Sequence, residues 1–282
     1  MRTRAQIALG VLVLAVSVSQ AGAVTLRYKF KSGETHAYKT TMKGRGEMGL
    51  GGLAESMRME MSIEMVTAQK VLSVGDGGNS AQIEQRVKPG GKMVVTFAGN
   101  STPTEIPQER VLLTMDTRGR VLKLTVAGTG GGAVPGASMQ GMDWAQMAAA
   151  MAFPEKDVKV NEVWETNAAV DVATGAKMKV QARSRLLGLE TYKGRQCARI
   201  RTSFSIPLDT LLPQMMPQGG PAPEMGGQVT GLVVWYFDHV SGLVIDESGK
   251  VTVQSTTSFT MGEQTVETSS SMVMNVKSVL QK

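Results

Sequence analysis

Cysteine is almost missing from this sequence. The 282 residues include one, Cys197, so no disulfide can form within the chain, and a fold in an oxidising compartment must rest on its core alone. A lone cysteine on an alternating strand reads as a small, half-buried apolar residue rather than a reactive thiol. Histidine is nearly as scarce: His36 and His239 stand in different halves, and with Cys197 they cannot make a tetrahedral nitrogen and sulfur zinc set. Three Trp, four Tyr and six Phe are too few for the stacking platforms that bind single-stranded nucleic acid. No stretch reaches the roughly 20 apolar residues of a membrane helix, so the chain is read as not membrane-spanning. No Walker A sequence is present, and no acid and base are placed as a catalytic pair. Asp238 and His239 are adjacent, so on an extended segment they point to opposite faces. The chain is therefore read as a non-enzyme with no cofactor and no metal.

The amino terminus carries an export signal. Arg2 and Arg4 precede an apolar run over residues 7–18, then Ser19, Gln20 and the small-residue site Ala21-Gly22-Ala23. Residues 1–23 are read as a signal peptide cleaved near Ala23, which places the mature chain in the periplasm or outside the cell. No cysteine sits at the cleavage site, and Arg2-Thr3-Arg4 is not an adjacent arginine pair, so neither lipid anchoring nor twin-arginine export is expected. Loss of Arg2 and Arg4 takes the net charge from +6 to +4, a mild basicity that favours anionic partners.

Alternation dominates the rest. Met57, Met59, Met61, Ile63 and Met65 interleave with Arg58, Glu60, Ser62 and Glu64, the period of two of a half-buried strand. Residues 176–184 repeat the form with Met178, Val180 and Ala182, and so do Met272, Met274 and Val276. The loop Ala173-Thr174-Gly175 predicts a hairpin with Val170 opposite Met178, Asp171 opposite Lys177 and Glu165 opposite Arg183. Lys193-Gly194 predicts a two-residue turn flanked by Tyr192 and Arg195. Residues 232–237 have no polar face and read as a strand covered on both sides. The expected cover is one short Met/Ala-rich helix, begun by the capping pair Asp143 and Gln146 and stopped by Pro154, with Trp144, Met147 and Met151 on one stripe. Residues 43–56 and 207–227 read as irregular connections, the second either a functional loop or disordered. Gly44, Gly46 and Gly49 spell G-x-G-x-x-G, but a strand follows instead of a helix, so the reading is a flexible glycine-rich loop.

The two halves have the same order of signals. Gly33-Glu34, a strand, a turn and the motif from Asp116 to Gly119 in the first are followed by Asn161-Glu162, strands around Lys193-Gly194 and the motif from Asp238 to Gly242 in the second. Asp116 and Asp238 each precede a turn closed by glycine, where an aspartate accepts hydrogen bonds from its own backbone. The expected fold is mainly β: a curved antiparallel sheet or half-barrel of two related halves, residues 24–128 and 154–282, joined by a glycine-rich linker and the helix over residues 129–153. Phe153-Pro154, the run from Val158 to Trp164, Tyr192-Lys193-Gly194 and the motif from Asp238 to Gly242 resemble a pattern in exported bacterial proteins of unknown function, distantly similar to the lipoprotein-carrier half-barrel. In the first half His36 stands where the pattern has tryptophan. The resemblance implies a folded-over sheet with a helix on its concave side and, in carrier relatives, a cavity for acyl chains.

Function is expected to lie in that interior: binding of a lipid or other apolar ligand in the cell envelope. The candidate lining is Met57, Met59, Met61, Met65, Met147, Met151, Met178 and Trp235, since methionine suits adaptable apolar space. Thioethers about 6.7 Å apart on one strand face could also meet a soft copper ion, but core packing explains the same spacing. The alternative is an envelope interaction protein with a filled core, docking through Arg183, Arg185, Arg199 and Arg201 or through residues 207–227.

Overall fold

The computed structural model describes residues 22–50, 56–108, 110–127, 152–171, 177–208, 224–261 and 264–281. The strands are β1 Thr35–Leu50, β2 Met57–Val74, β3 Ser80–Val87, β4 Lys92–Phe97, β5 Asn100–Glu105, β6 Arg110–Asp116, β7 Val121–Ala127, β8 Val163–Asp171, β9 Lys177–Tyr192, β10 Arg195–Pro207, β11 Glu224–Asp238, β12 Leu243–Met261 and β13 Gln264–Leu280. They make one curved antiparallel sheet in the order β7-β6-β3-β2-β1-β13-β12-β11-β10-β9-β8, and the hairpin of β4 and β5 adds to the free part of β2. The end strands β7 and β8 share no ladder, so the sheet is a half-barrel and not a closed one.

Period-two alternation places the core. On β2, Ile63 and Met65 are buried while Arg58, Glu60 and Glu64 are exposed, and on β13 Met274 and Val276 are buried while Lys277 is exposed. The convex face is charged at mid-strand, with Lys39 paired to Glu64 at 2.6 Å and Arg45 to Glu60 at 3.2 Å. Both hairpin registers follow the sequence: Val170, Asp171 and Glu165 lie opposite Met178, Lys177 and Arg183, and Tyr192 opposite Arg195 across Lys193 (φ 49°) and Gly194 (φ 76°).

Several expectations are corrected. Gly44, Gly46 and Gly49 belong to β1, not to a loop, and only residues 51–56 separate β1 from β2. A Cβ at Gly46 would stand 2.4 Å from the Ser271 carbonyl oxygen, so glycine there lets β13 approach closely. Residues 232–237 are covered on one face only. Val233, Trp235 and Phe237 are buried, but Leu232 is 50% exposed on the convex side. Pro207 and residues 224–227 are strand, so the irregular stretch is shorter than 207–227, and residues 209–223 lie outside those described. Most of the expected helix, with Met147 and Met151, also lies outside them. Its last two residues, Ala152 and Phe153, are extended and buried. Residues 1–21, most of the expected signal peptide, lie outside as well.

Extended chain, not helix, crosses the concave side in the described residues. Val24 and Val158 exchange two backbone hydrogen bonds of 2.9 Å, the Phe153 amide donates to the Arg118 carbonyl at 2.7 Å, and Arg118 Nε returns a bond to the Phe153 carbonyl at 2.9 Å. Beneath them the Phe153 ring packs 5.4 Å from Trp235, 4.6 Å from Phe237 and 5.4 Å from Tyr28, between centroids. Trp235 Nε1 donates to Thr202 Oγ1 at 3.0 Å and Trp164 Nε1 to the Ala152 carbonyl at 3.0 Å, so both indoles are buried without a stranded donor.

The halves share hydrogen bonds as well as sequence signals. The Gly33 amide donates to the Val71 carbonyl and the Val71 amide to the Glu34 carbonyl; Asn161, Leu186 and Glu162 repeat the arrangement. Gly33 (φ 81°) and Asn161 (φ 71°) both adopt the left-handed backbone that this turn requires. The registers slip at matching places: Leu72 is skipped between β2 and β3, and Leu187 between β10 and β9. Leu122 is skipped between β6 and β7, and Ile245 between β11 and β12. Each slip is a bulge that bends its strand, which helps the sheet curve.

The two aspartates hold equivalent turns. Asp116 Oδ1 accepts from the amides of Arg118 and Arg120, and Asp238 Oδ1 from those of Val240 and Ser241. Burial pushes the Asp238 carboxyl up, but the bonds from Ser241, Arg195 and Val240 outweigh it and hold the group below its usual range. Asp238→Ala would leave these donors short of a partner and is expected to cost about 1–3 kcal/mol. Urea unfolding checks this; a midpoint equal to the wild type would show that the turn does not need its carboxylate.

Candidate functional site

The described residues enclose a hollow bounded by strands of both halves. A cavity of about 120 Å³ is bounded by Tyr28 and Phe30, by His36 and Tyr38 of β1, Thr67, Gln69 and Val71 of β2, Ile83 and Gln85 of β3, Leu113 and Met115 of β6, Glu247 of β12 and Ser278 of β13. Counted from the two similar turns, positions 36, 113 and 115 align with Trp164, Trp235 and Phe237, all three of them buried.

Glu247 is the unusual residue there. It lies opposite Trp235 across the ladder, as Leu124 lies opposite Leu113 in the first half, so an acid occupies a position where the corresponding residue is a buried leucine. It is 4% exposed, and its Oε1 has no hydrogen-bond partner among the described residues; the same holds for Thr67 Oγ1. Burial, with the neighbouring charge of Asp246 adding to it, pushes the Glu247 carboxyl up to about 7. Asp246 itself faces the other side, where the Tyr192 hydroxyl (2.7 Å) and Lys193 Nζ (2.8 Å) hold it. Burial also raises the phenols of Tyr28 and Tyr38 well above their ordinary range, which keeps both neutral. Two basic groups border the cavity and both are engaged: Lys29 Nζ donates to the Val240 carbonyl at 2.8 Å, and His36 Nε2 stands 3.4 Å from Glu34.

The methionines and tryptophan expected to line a ligand cavity are placed as follows. Met65 is buried, Met59 and Met61 are half-buried and Met57 is 38% exposed, all on β2, and none of them borders the cavity. Trp235 is fully buried in the aromatic cluster. Met178 lies on β9 opposite Val170; its side chain, like Met147 and Met151, falls outside those described. Arg183, Arg199 and Arg201 are exposed on the convex face, and Arg185 is half-buried with Nη2 donating to Asn161 Oδ1 at 2.9 Å. Arg201 lies directly opposite Arg185, while Arg183 has Glu165 across from it. Cys197 is fully buried and its thiol is pushed up to about 11, first by burial, which makes it unreactive.

Sequence reasoning missed the polar lining, though its signal was present. His36 and Tyr38 continue the inward face of Thr40 and Met42, Thr67 and Gln69 that of Ile63 and Met65, and Glu247 that of Val251 and Val253. Polar residues on a buried period-two face are the mark of an interior that is not simply core.

No family model matches the chain, and no curated protein sequence matches it. Solved structures that resemble the chain weakly include the following two. One is the translocator domain of the autotransporter NalP from Neisseria meningitidis, at a TM-score of 0.24 and 10% identity over 88% of each chain. The other is a DUF1329 family protein from Desulfovibrio piger, at a TM-score of 0.13 and 9% identity over 86% of this chain and 85% of that one. Likenesses at this level carry no argument about function. Among the described residues no helix is long and apolar enough to cross a membrane.

Proposed function

We propose that this chain is an exported, non-enzymatic binding module of the cell envelope whose concave face holds a small, largely apolar ligand by one polar end. The observation that carries the reading is the cavity itself: an aromatic and aliphatic hollow into which a few polar groups converge, two of them with an oxygen that has no partner among the described residues. The export signal supports the location.

Size narrows the ligand. About 120 Å³ is well below the roughly 300–1,000 Å³ of drug-sized sites, so a whole fatty acid does not fit. It is nearer the cavity of about 150 Å³ that takes up benzene. The ligand is therefore a single ring, a chain of a few carbons, or the end of a longer molecule.

Saturation-transfer NMR with benzyl alcohol tests the reading. The wild type is expected to transfer magnetisation to the ring protons, and Leu113→Trp, which brings in the side chain found at the corresponding Trp235, is expected to abolish it. Met115→Phe, which likewise brings in the ring of the corresponding Phe237, is a second filling variant should the first not fold. No transfer in the wild type, or equal transfer in a folded filling variant, would refute the cavity as a ligand site.

A further inference from the structure

The chemistry of the cavity points to the sign of its ligand, on the reading that the cavity is a binding site. Glu247 is an acid in an aromatic enclosure with no cation paired to it among the described residues, since Lys29 and His36 are engaged elsewhere. Asp246 beside it in the chain adds negative charge, and the polar and aromatic groups that share the cavity with it come from five parts of the chain. Tyr28 and Phe30 belong to the amino-terminal segment, Glu34, His36 and Tyr38 to the entry and start of β1, Thr67 and Gln69 to β2, Gln85 to β3 and Ser278 to β13. Of these, Glu34 adds negative charge, the two phenols are neutral, and Ser278 Oγ accepts from Thr40 Oγ1 at 3.1 Å. A buried carboxylate left unpaired is costly, and truncating it to the leucine of the corresponding position 124 would remove the cost. Its presence in a hollow lined by three aromatic rings fits a ligand that is itself a cation, because ring faces attract positive charge in the same place.

We propose that the ligand is a small primary or secondary amine, bound as its ammonium ion and paired with Glu247. The apolar remainder lies against Val71, Ile83, Leu113 and Met115. Binding draws the proton off Glu247, which passes to solvent when the incoming amine is already protonated, so affinity for the amine rises from pH 5.5 to pH 8.

Pentylamine, 1-pentanol and butanoate, probes of similar size and different charge, test this by NMR titration of the full mature chain. Pentylamine is expected to bind about tenfold or more tightly than pentanol at pH 8, and to lose about tenfold or more at pH 5.5 as Glu247 takes up a proton. Glu247→Gln is expected to erase both differences while pentanol binds as before, and Leu113→Trp to remove binding of all three. If pentanol or butanoate binds as tightly as pentylamine, the amine assignment falls and the cavity reading stands. If none of the three binds, both fall. An amine preference that survives Glu247→Gln also overturns the assignment, and the comparison of probes on the wild type decides the matter should that variant not fold.

Discussion

Glu247→Gln is expected to make the protein more stable at pH 8 by about 3 kcal/mol and to change little near pH 4.5. An acid whose folded value is raised retains its proton in the folded chain while the unfolded chain has already lost it. Stability therefore falls as pH rises from the ordinary value of 4.5 to about 7 and is level above that. That interval, at about 1.4 kcal/mol per pH unit, gives about 3 kcal/mol as an order of magnitude. Other carboxylates act at the acid end and with the opposite sign. Burial pushes Glu84 up, but Arg86 and Arg110 outweigh it and hold the group low, so its contribution is lost as pH falls through its folded value. Because the variant keeps those groups, the difference between the two stability curves isolates Glu247. Curves that run parallel from pH 4.5 to 8 would show that the side chain is solvated or paired.

Phe153→Ala is expected to cost about 3–5 kcal/mol, the usual penalty for emptying a large aromatic from a core. At a few degrees per kcal/mol for a chain of this length, Tm should drop by about 10 °C. The ring has no exposed surface to speak of and touches Trp235, Phe237 and Tyr28, so its loss opens a void that three rigid rings cannot close by rotating. It also loosens the strap formed by residues 24–30 and 152–158, which is tied to the sheet by backbone bonds to Thr117 and Arg118 and anchored by Phe153 together with the buried Leu26 and Val158. A loss below about 1 kcal/mol would mean that the strap is not part of the folded core.

The fold was legible because alternation and turn chemistry are local. The register of β8 with β9 followed from Ala173-Thr174-Gly175, the turn between β9 and β10 from Lys193-Gly194, and the capping of Asp116 and Asp238 from a glycine a few residues on. The errors were of context. Residues 232–237 look covered on both sides because Leu232, Val234 and Tyr236 are apolar or amphipathic, yet they face outward beside the Arg201 strand. Gly44 and Gly46 look like loop residues because only the approach of β13 reveals why a strand needs them. The hollow itself was not legible for a related reason: methionine-rich alternation marks an apolar face, but a hollow depends on what stands across from it. Only the pairing of the halves shows that His36, Leu113 and Met115 are small where Trp164, Trp235 and Phe237 are large.

The most direct measurement is the titration of Glu247 itself, followed by carbon-13 NMR of its side-chain carboxyl and assigned by comparison with Glu247→Gln. A midpoint near 7 is predicted, moving downward when pentylamine is added. A midpoint at the ordinary 4.5, unmoved by any ligand, would contradict a buried, unpaired acid at the floor of the half-barrel.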